Sequence, residues 1–507
     1  MDTAHGRLQG HLAAIHDLGQ AGALLAWDQQ TMMPPRGAAV RAEQLATIAR
    51  LAHEHLIGDE TGRLLAAAED GVAAAPADSF AASLVRVARR DHDKARRVPA
   101  ALEAEMARAG AQAYAVWKEA KPASDFARFL PHLERALELK HRYVDCFDDV
   151  ADPYDALLDD FEPGLTTAEV AEVLGRLKTG LVPLVAWVTE RAGAVDDACL
   201  AGDFPAAGQR RFVLGVIERF GYEPDAWRLD PTAHPFASSL GIEDIRLTTR
   251  FDDGHLSQGL FATMHECGHG LYEAGVDLAF ERTPLARGAS MAMHESQSRT
   301  WENLVGRSRP FWRHFFPTLR DTFPDQLGGT DEETFYRAVN RMAPSFIRVE
   351  ADEATYNLHI VLRFELEREL LAGDVRPRDL PEAWNARMRD SLGIVPPDSA
   401  RGCLQDVHWA DGLFGYFPTY ALGNIVAAQL FERARADVPD LDDQFARGEF
   451  GALRGWQREH IHRHGRAFTA PELLARTVGG PMDPAPLLHH LRAKVTELYG
   501  VPPAATD

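Results

Sequence analysis

Cysteine is scarce: only Cys146, Cys199, Cys267 and Cys403 occur in 507 residues. They lie far apart and form no C-x-x-C pair, which argues against a disulfide framework and fits a reducing compartment. No apolar run approaches the ~18 residues that a membrane-crossing helix needs. The opening residues, Met1 to Arg7, lack a basic stretch followed by an apolar block, so no secretory signal is expected and the cytoplasm is the expected location. Positive charge is also short, with 54 Lys and Arg against 75 Asp and Glu and a net charge of −21. Polyanion binding requires a basic face that displaces counterions, and no Lys/Arg block is present, so neither nucleic acid nor a membrane is an expected partner. Low-complexity tracts and repeats of 20–50 residues are absent from the sequence as well.

What remains is an ordinary globular balance, 46% hydrophobic and 25% charged. Apolar residues recur at three- and four-residue spacing over 39–56, 79–120, 125–148, 167–192, 208–220, 332–344, 351–372, 424–437 and 483–498, which predicts helices there. Thr166 and Thr167 ahead of Glu169 form a helix-start signal. The clearest strand candidate is Asp244 to Arg250, where apolar and polar residues alternate before the turn-like Asp252-Asp253-Gly254. No linker separates independent domains. The expectation is one mainly α catalytic domain, 1–507, with two lobes around a groove and a small sheet.

The chemistry concentrates in His265-Glu266-Cys267-Gly268-His269. On a helix the two histidines sit about 40° apart on one face, which lets both imidazoles reach one ion at ~2.0–2.1 Å. Leu260, Met264, Cys267 and Leu271 make a separate apolar stripe, and Cys267, about 200° around from His265, belongs to the core. Gly268 and Gly270 each weaken a helix by ~1 kcal/mol relative to alanine, so their presence predicts that another element passes close by. Glu266, next to a metal-activated water, has the chemistry of a general base that later protonates a leaving amine. A catalytic zinc needs a third protein ligand and an open position. Glu295, in His294-Glu295-Ser296-Gln297, is the better candidate and His294 the competing one; either could instead stand behind a ligating imidazole.

Taken together, His234-Pro235-Phe236, Asp244-x-Arg246-x-Thr248, His265-Glu266-x-x-His269, His294-Glu295-Ser296-Gln297, Ile347-Arg348-x-x-Ala351-Asp352 and Gly402-x-x-Gln405-Asp406-x-His408-Trp409 resemble the carboxypeptidase Taq family of metallocarboxypeptidases. Trp27-Asp28-Gln29-Gln30-Thr31-Met32 also looks familial. The resemblance covers nearly the whole chain. It implies a two-lobed helical zincin with a deep central groove and a small β-sheet beside the active site. It further implies metal ligands at His265, His269 and Glu295, Glu266 as base, removal of single C-terminal residues with broad specificity, and a homodimer. Zn²⁺ is the expected cofactor, one per chain, with Co²⁺ as an alternative activating metal.

A carboxypeptidase must recognise a free α-carboxylate, and a fixed arginine does so through paired N–H donors. Arg348 and Arg246 are the candidates. Arg348 could equally pair with Glu350, Asp352 or Glu353, and Arg246 with Asp244 on the same strand face. By analogy with similar helical zinc peptidases, His408 and Tyr420 are candidate donors to the oxyanion, with Tyr416 the alternative tyrosine, placed at the substrate. Gln405 and His234 are expected to touch substrate on the strength of the resemblance alone. The 244–250 strand is expected to offer a free edge to an extended peptide. His460 to His464 read as a solvated, pH-sensitive surface rather than a second metal site. The competing functions are an oligoendopeptidase of the related helical-groove type and an inactive peptide-binding module.

Overall fold

The computed structural model describes residues 3–502. They are mostly helical, with one three-stranded sheet among them. The chain divides into two compact units, each assembled from three segments. Residues 3–96, 198–339 and 430–480 make the first unit, and 97–197, 340–429 and 481–502 the second. No described helix is long and apolar enough to cross a membrane.

Helices form where the apolar period places them, for example Ala38–Ile57, Thr167–Thr189, Ala206–Phe220, Thr355–Ala372 and Ala485–Tyr499. At Thr166 the hydroxyl accepts from the Glu169 N–H at 3.3 Å, and the Glu169 carboxylate accepts from the Thr166 N–H at 2.8 Å. This reciprocal pairing satisfies two donors that the first turn would otherwise leave unbonded. The run expected over 79–120 is two helices, Phe80–Arg97 and Ala100–Ala123. Pro99 divides them, because it lacks an N–H and restricts Val98 to extended backbone. The 28-residue helix Ala4–Thr31 lacks a clear apolar stripe, burying only Leu8, Leu12, His16 and Trp27.

In the second unit Leu174, Leu177 and Leu181 pack in the core with Leu358, Leu362 and Leu366, all nearly removed from water. Each such burial stabilises by about 1.5–3 kcal/mol. In the first unit the sheet comprises β1 (Trp227–Pro231), β2 (Ala237–Gly241) and β3 (Asp244–Thr249). Their order is β1-β3-β2, with β3 parallel to β1 and antiparallel to β2. The 244–250 strand is therefore central, and both its edges are paired. It has no free edge for a peptide; the sheet's edges are β1 and β2. Ile245 and Leu247 face the core, as their alternation with Arg246 predicts.

β3 leads into the helix Ser257–Gly275, which carries both metal-motif histidines. The Thr263 hydroxyl ties this histidine helix to Thr249, at 2.8 Å. The two glycines lie where other elements come closest. A Cβ on Gly268 would sit 2.6 Å from Ser298 Cα and 2.7 Å from the Gln297 carbonyl oxygen; one on Gly270 would sit 2.5 Å from the Trp227 ring of β1. Ser298 belongs to the helix Met291–Arg299, the glutamate helix, which continues into a π-helical segment, Thr300–Val305. The histidine helix thus rests on bare backbone at one glycine and on the sheet at the other.

Gly268→Ala should therefore destabilise the protein by about 1–3 kcal/mol, since a backbone neighbour cannot move aside as a side chain can. Gly10→Ala, with nothing within 4 Å of the new methyl, should leave the protein unchanged or stabilise it by roughly 0.5–1 kcal/mol. Thermal and urea melts of the two variants beside the parent check the contrast.

Candidate metal centre and its surroundings

The close crossing at Gly268 brings three side chains to one point. His265 Nε2 and His269 Nε2 lie 3.5 and 3.4 Å from the same oxygen of Glu295, Oε2. Ligand atoms held tetrahedrally at ~2.0–2.1 Å from one ion stand roughly 3.3–3.4 Å apart, so this spacing is that of a coordination site. His265, His269 and Glu295 are the one such cluster among the described residues. His294 is not in it; its Nδ1 faces His269 instead.

Each of these three groups is held from behind. His265 Nδ1 faces Glu302 Oε2 at 2.8 Å, and His269 Nδ1 faces His294 Nδ1 at 2.6 Å. His294 Nε2 in turn faces Glu273 Oε1 at 2.6 Å. Arg299 donates to Glu295 at 2.7 Å and to Glu302 at 3.0 Å. The rings of His269, His294, Tyr272 and His462 follow one another at centroid separations of 4.7, 5.1 and 5.1 Å. His462 is thus buried against Gly275, with Nε2 at 2.8 Å from Gln297 Oε1, and is no part of a solvated surface. Burial pushes its pKa down to about 3.

Electrostatics follow from this burial. Burial alone would raise Glu295 and Glu302, but Arg299 first and the histidines next hold Glu295 well below the usual range and Glu302 at about 2. Burial lowers His269 to about 3, keeping the neutral imidazole that a metal requires. At His265 burial is outweighed by Glu295 and Glu302, and its pKa rises. Glu266 is pushed up to about 7 by burial. Cys267 is fully buried and faces the core, as its position on the helix predicts. Glu295 is buried and Glu302 nearly so, and both lean on the Arg299 guanidinium. A divalent cation fits this donor set of two imidazoles and a carboxylate.

The second unit gathers another predicted set. His408 Nε2 and the Tyr420 hydroxyl are 3.2 Å apart, and the Tyr416 ring lies 5.5 Å from that of His408. Burial, then Arg363, lowers His408 to about 3. Arg348 is buried and clamped, donating to Asp406 at 3.0 and 2.9 Å and to the Tyr356 hydroxyl at 2.9 Å. Its partner is thus none of the three acids expected. Asp352 instead accepts from the N–H groups of Ala343 and Ala354, and Glu353 pairs with His490 and Lys494. The Gln405 amide accepts from the Arg348 N–H at 2.8 Å and donates to the Phe346 carbonyl at 3.0 Å, so it braces the Arg348 segment. In the first unit Arg246 pairs with Asp244 at 3.0 and 3.1 Å and lies 4.5 Å from the Trp27 ring centre. His234 is exposed between β1 and β2.

Four participants escaped sequence reasoning: Glu302, Arg299, Glu273 and Asp406. A usable signal existed for the first three. Glu295, Arg299 and Glu302 follow at spacings of four and three, and Glu273 lies four beyond His269, so each repeats on a metal-facing helix face. Asp406 meets Arg348 only through the tertiary fold.

A histidine pair and a glutamate converging on one point, with a buried carboxylate beside them on a helix, define a metallopeptidase centre. Residues 7–495 match the family model described as Carboxypeptidase Taq (M32) metallopeptidase. The chain is 44% identical over 492 residues to thermostable carboxypeptidase 1 of Thermus thermophilus, covering 95% of this chain and 96% of that one. It is 37% identical over 488 residues to carboxypeptidase 1 of Bacillus subtilis, with 96% and 97% covered. The crystal structure of an M32 carboxypeptidase from Deinococcus radiodurans R1 matches with a TM-score of 0.94 at 44% identity, over 99% of this chain and 100% of the other. The chain belongs to the carboxypeptidase Taq family and is a metallocarboxypeptidase.

The Arg348–Asp406 pair has a measurable consequence. Arg348 holds the Asp406 carboxyl well below its usual range. A carboxylate depressed in the folded state contributes stability that is full above its unfolded pKa of ~3.9 and is lost as pH falls below it. Asp406→Ala should cost about 3–5 kcal/mol at pH 7, because it leaves buried guanidinium charge uncompensated. The loss relative to the parent should shrink as pH drops from about 5 towards 3, which urea melts across that range would show.

Proposed function

We propose that the protein removes single amino acids from the free C-termini of peptides, tolerating many side chains, with Zn²⁺ as its metal at one ion per chain. The convergence of His265 Nε2 and His269 Nε2 on Glu295 Oε2, with Glu266 beside them, carries this reading. Two imidazoles and one carboxylate suit zinc, and Co²⁺ accepts the same donors. When bound, such an ion lowers the pKa of a water to about 7 and polarises the scissile carbonyl. Glu266 takes the proton of the attacking water and returns it to the leaving amine. His408 and Tyr420 donate to the oxygen that gains charge as the carbonyl is attacked, an interaction strongest in the transition state.

Arg348, with Arg246 as the alternative, receives the α-carboxylate. Asp406 and Tyr356 hold its guanidinium in place, so it meets a ligand already ordered. Gln405 acts through the segment it braces, and His234 and Tyr416 border the peptide. The whole chain acts as one catalytic domain. A homodimer goes with the family resemblance, and a peptide-recycling role in the cytoplasm goes with broad specificity.

Paired peptides that differ only in a free or an amidated C-terminus test the reading. The free form should be trimmed one residue at a time and the amidated form spared, with activity abolished by chelation and restored by Zn²⁺ or Co²⁺. Equal cleavage of both would identify an oligoendopeptidase instead. Glu266→Gln should bind metal normally and lose about 10²–10⁴-fold in kcat; near-normal turnover would remove Glu266 from the mechanism.

A further inference from the structure

We infer that Glu273 and His294 are positioning residues that fix the tautomer of His269 and thereby set the affinity of the centre for its metal. The inference rests on the metal reading above. His269 directs Nε2 at the ligand cluster, 3.4 Å from Glu295 Oε2, so coordination requires the Nε2 lone pair and leaves the ring proton on Nδ1. That N–H faces His294 Nδ1 at 2.6 Å, which must then be bare and accept. The proton of His294 is consequently on Nε2, where it meets Glu273 Oε1 at 2.6 Å. An ionised carboxylate can only accept. Glu273 therefore gives every N–H in the chain one direction: His269 to His294, and His294 to Glu273.

Packing prevents the relay from rearranging. The His294 ring lies between those of His269 and Tyr272, at centroid separations of 4.7 and 5.1 Å. Gly288 closes the remaining side, where a Cβ would come 2.8 Å from His294 Cδ2 and 2.9 Å from Tyr272 Cε1. The Tyr272 hydroxyl is itself held by the Ala289 N–H at 3.0 Å. The two ligating histidines are thus supported differently. His265 meets a carboxylate directly, whereas His269 meets one through an intervening imidazole. Without Glu273, His294 can carry its proton on Nδ1 and present it to His269. That arrangement drives the His269 proton onto Nε2 and removes the lone pair that the metal needs. Partners behind a ligating histidine typically alter metal affinity by about 10–100-fold.

The test is a competition titration of chelated, metal-free protein with Zn²⁺ against a chromophoric chelator. Glu273→Ala should bind Zn²⁺ about 10–100-fold more weakly, with the melting temperature of the metal-free form unchanged. Glu273→Gln, which still offers an oxygen, should lose clearly less. His294→Phe keeps the ring stack and removes both nitrogens, so it should match the alanine variant and stands in for it if that variant folds poorly. Affinity within threefold of the parent in both Glu273→Ala and His294→Phe would overturn the relay. So would equal losses in Glu273→Ala and Glu273→Gln, which would show an effect of charge alone. A parent protein that fails to bind one equivalent of Zn²⁺ would overturn the metal reading instead.

Discussion

The metal centre depends on one contact, the approach of the histidine helix to the backbone of the glutamate helix at Gly268. Packed helices ordinarily keep their axes 8–10 Å apart because side chains fill the space between them. With hydrogen in place of a Cβ, Gly268 lets Ser298 and Gln297 come to within 2.6–2.7 Å of where that Cβ would be. The imidazoles of His265 and His269 and the carboxylate of Glu295 are short side chains, and they meet only because their backbones are close. A second approach, of His462 onto Gly275, lies about two helical turns further along and fixes the other end of the histidine helix against the segment that carries His462. The Gln297 side chain links the two contacts by accepting from His462.

Bringing these groups together buries charge, and the surroundings are arranged around that burden. Glu295, Glu302 and Arg299 share hydrogen bonds, so the Glu295 carboxylate keeps one oxygen on the guanidinium and turns the other toward the histidines. A carboxylate held this way stays ionised, and its orientation no longer depends on the metal. The two histidines differ in kind. Glu295 and Glu302 outweigh burial at His265 and raise its pKa, while burial lowers that of His269. The site thus joins two imidazoles in different electrostatic settings.

Much of this architecture was legible in the sequence where the determinant is local. The four-residue spacing of His265 and His269, the Thr166–Glu169 cap, the alternation in β3 and the unexplained glycines at 268 and 270 each report a constraint acting within a few residues. Pairing across the fold was not legible. β3 looked like an available edge because nothing local in Trp227–Pro231 or Ala237–Gly241 shows that both would flank it. His460 to His464 looked like surface because the run is polar; only Gly275, nearly 190 residues away, makes room for His462 to be buried. Arg348 was given nearby acids as partners, and the fold supplied Asp406, 58 positions distant. The helices 80–97 and 100–123 merged in the pattern because a single proline interrupts the backbone without disturbing the apolar period.

The pairing of Arg348 bears on how an arginine can serve as an anchor. A guanidinium left unpaired in a buried setting would be costly, and one left mobile would have to be ordered by its ligand. Asp406 and Tyr356 remove both difficulties, because they pair the guanidinium and fix its orientation. Asp406 is itself shared, lying 2.9 Å from Arg348 and 3.7 Å from Arg363, so it does not cancel the positive charge of either alone. Arg363 is fully buried between the Trp409 and Phe417 rings, at 3.9 Å from each centre, and also faces Glu367 at 3.4 Å. Glu367 accepts from Trp409 Nε1 and the Gly415 N–H, which ties the arginines to the loop that carries His408. A change in any of these four charged groups would therefore reach both Arg348 and His408, and their geometry is best understood as a single unit.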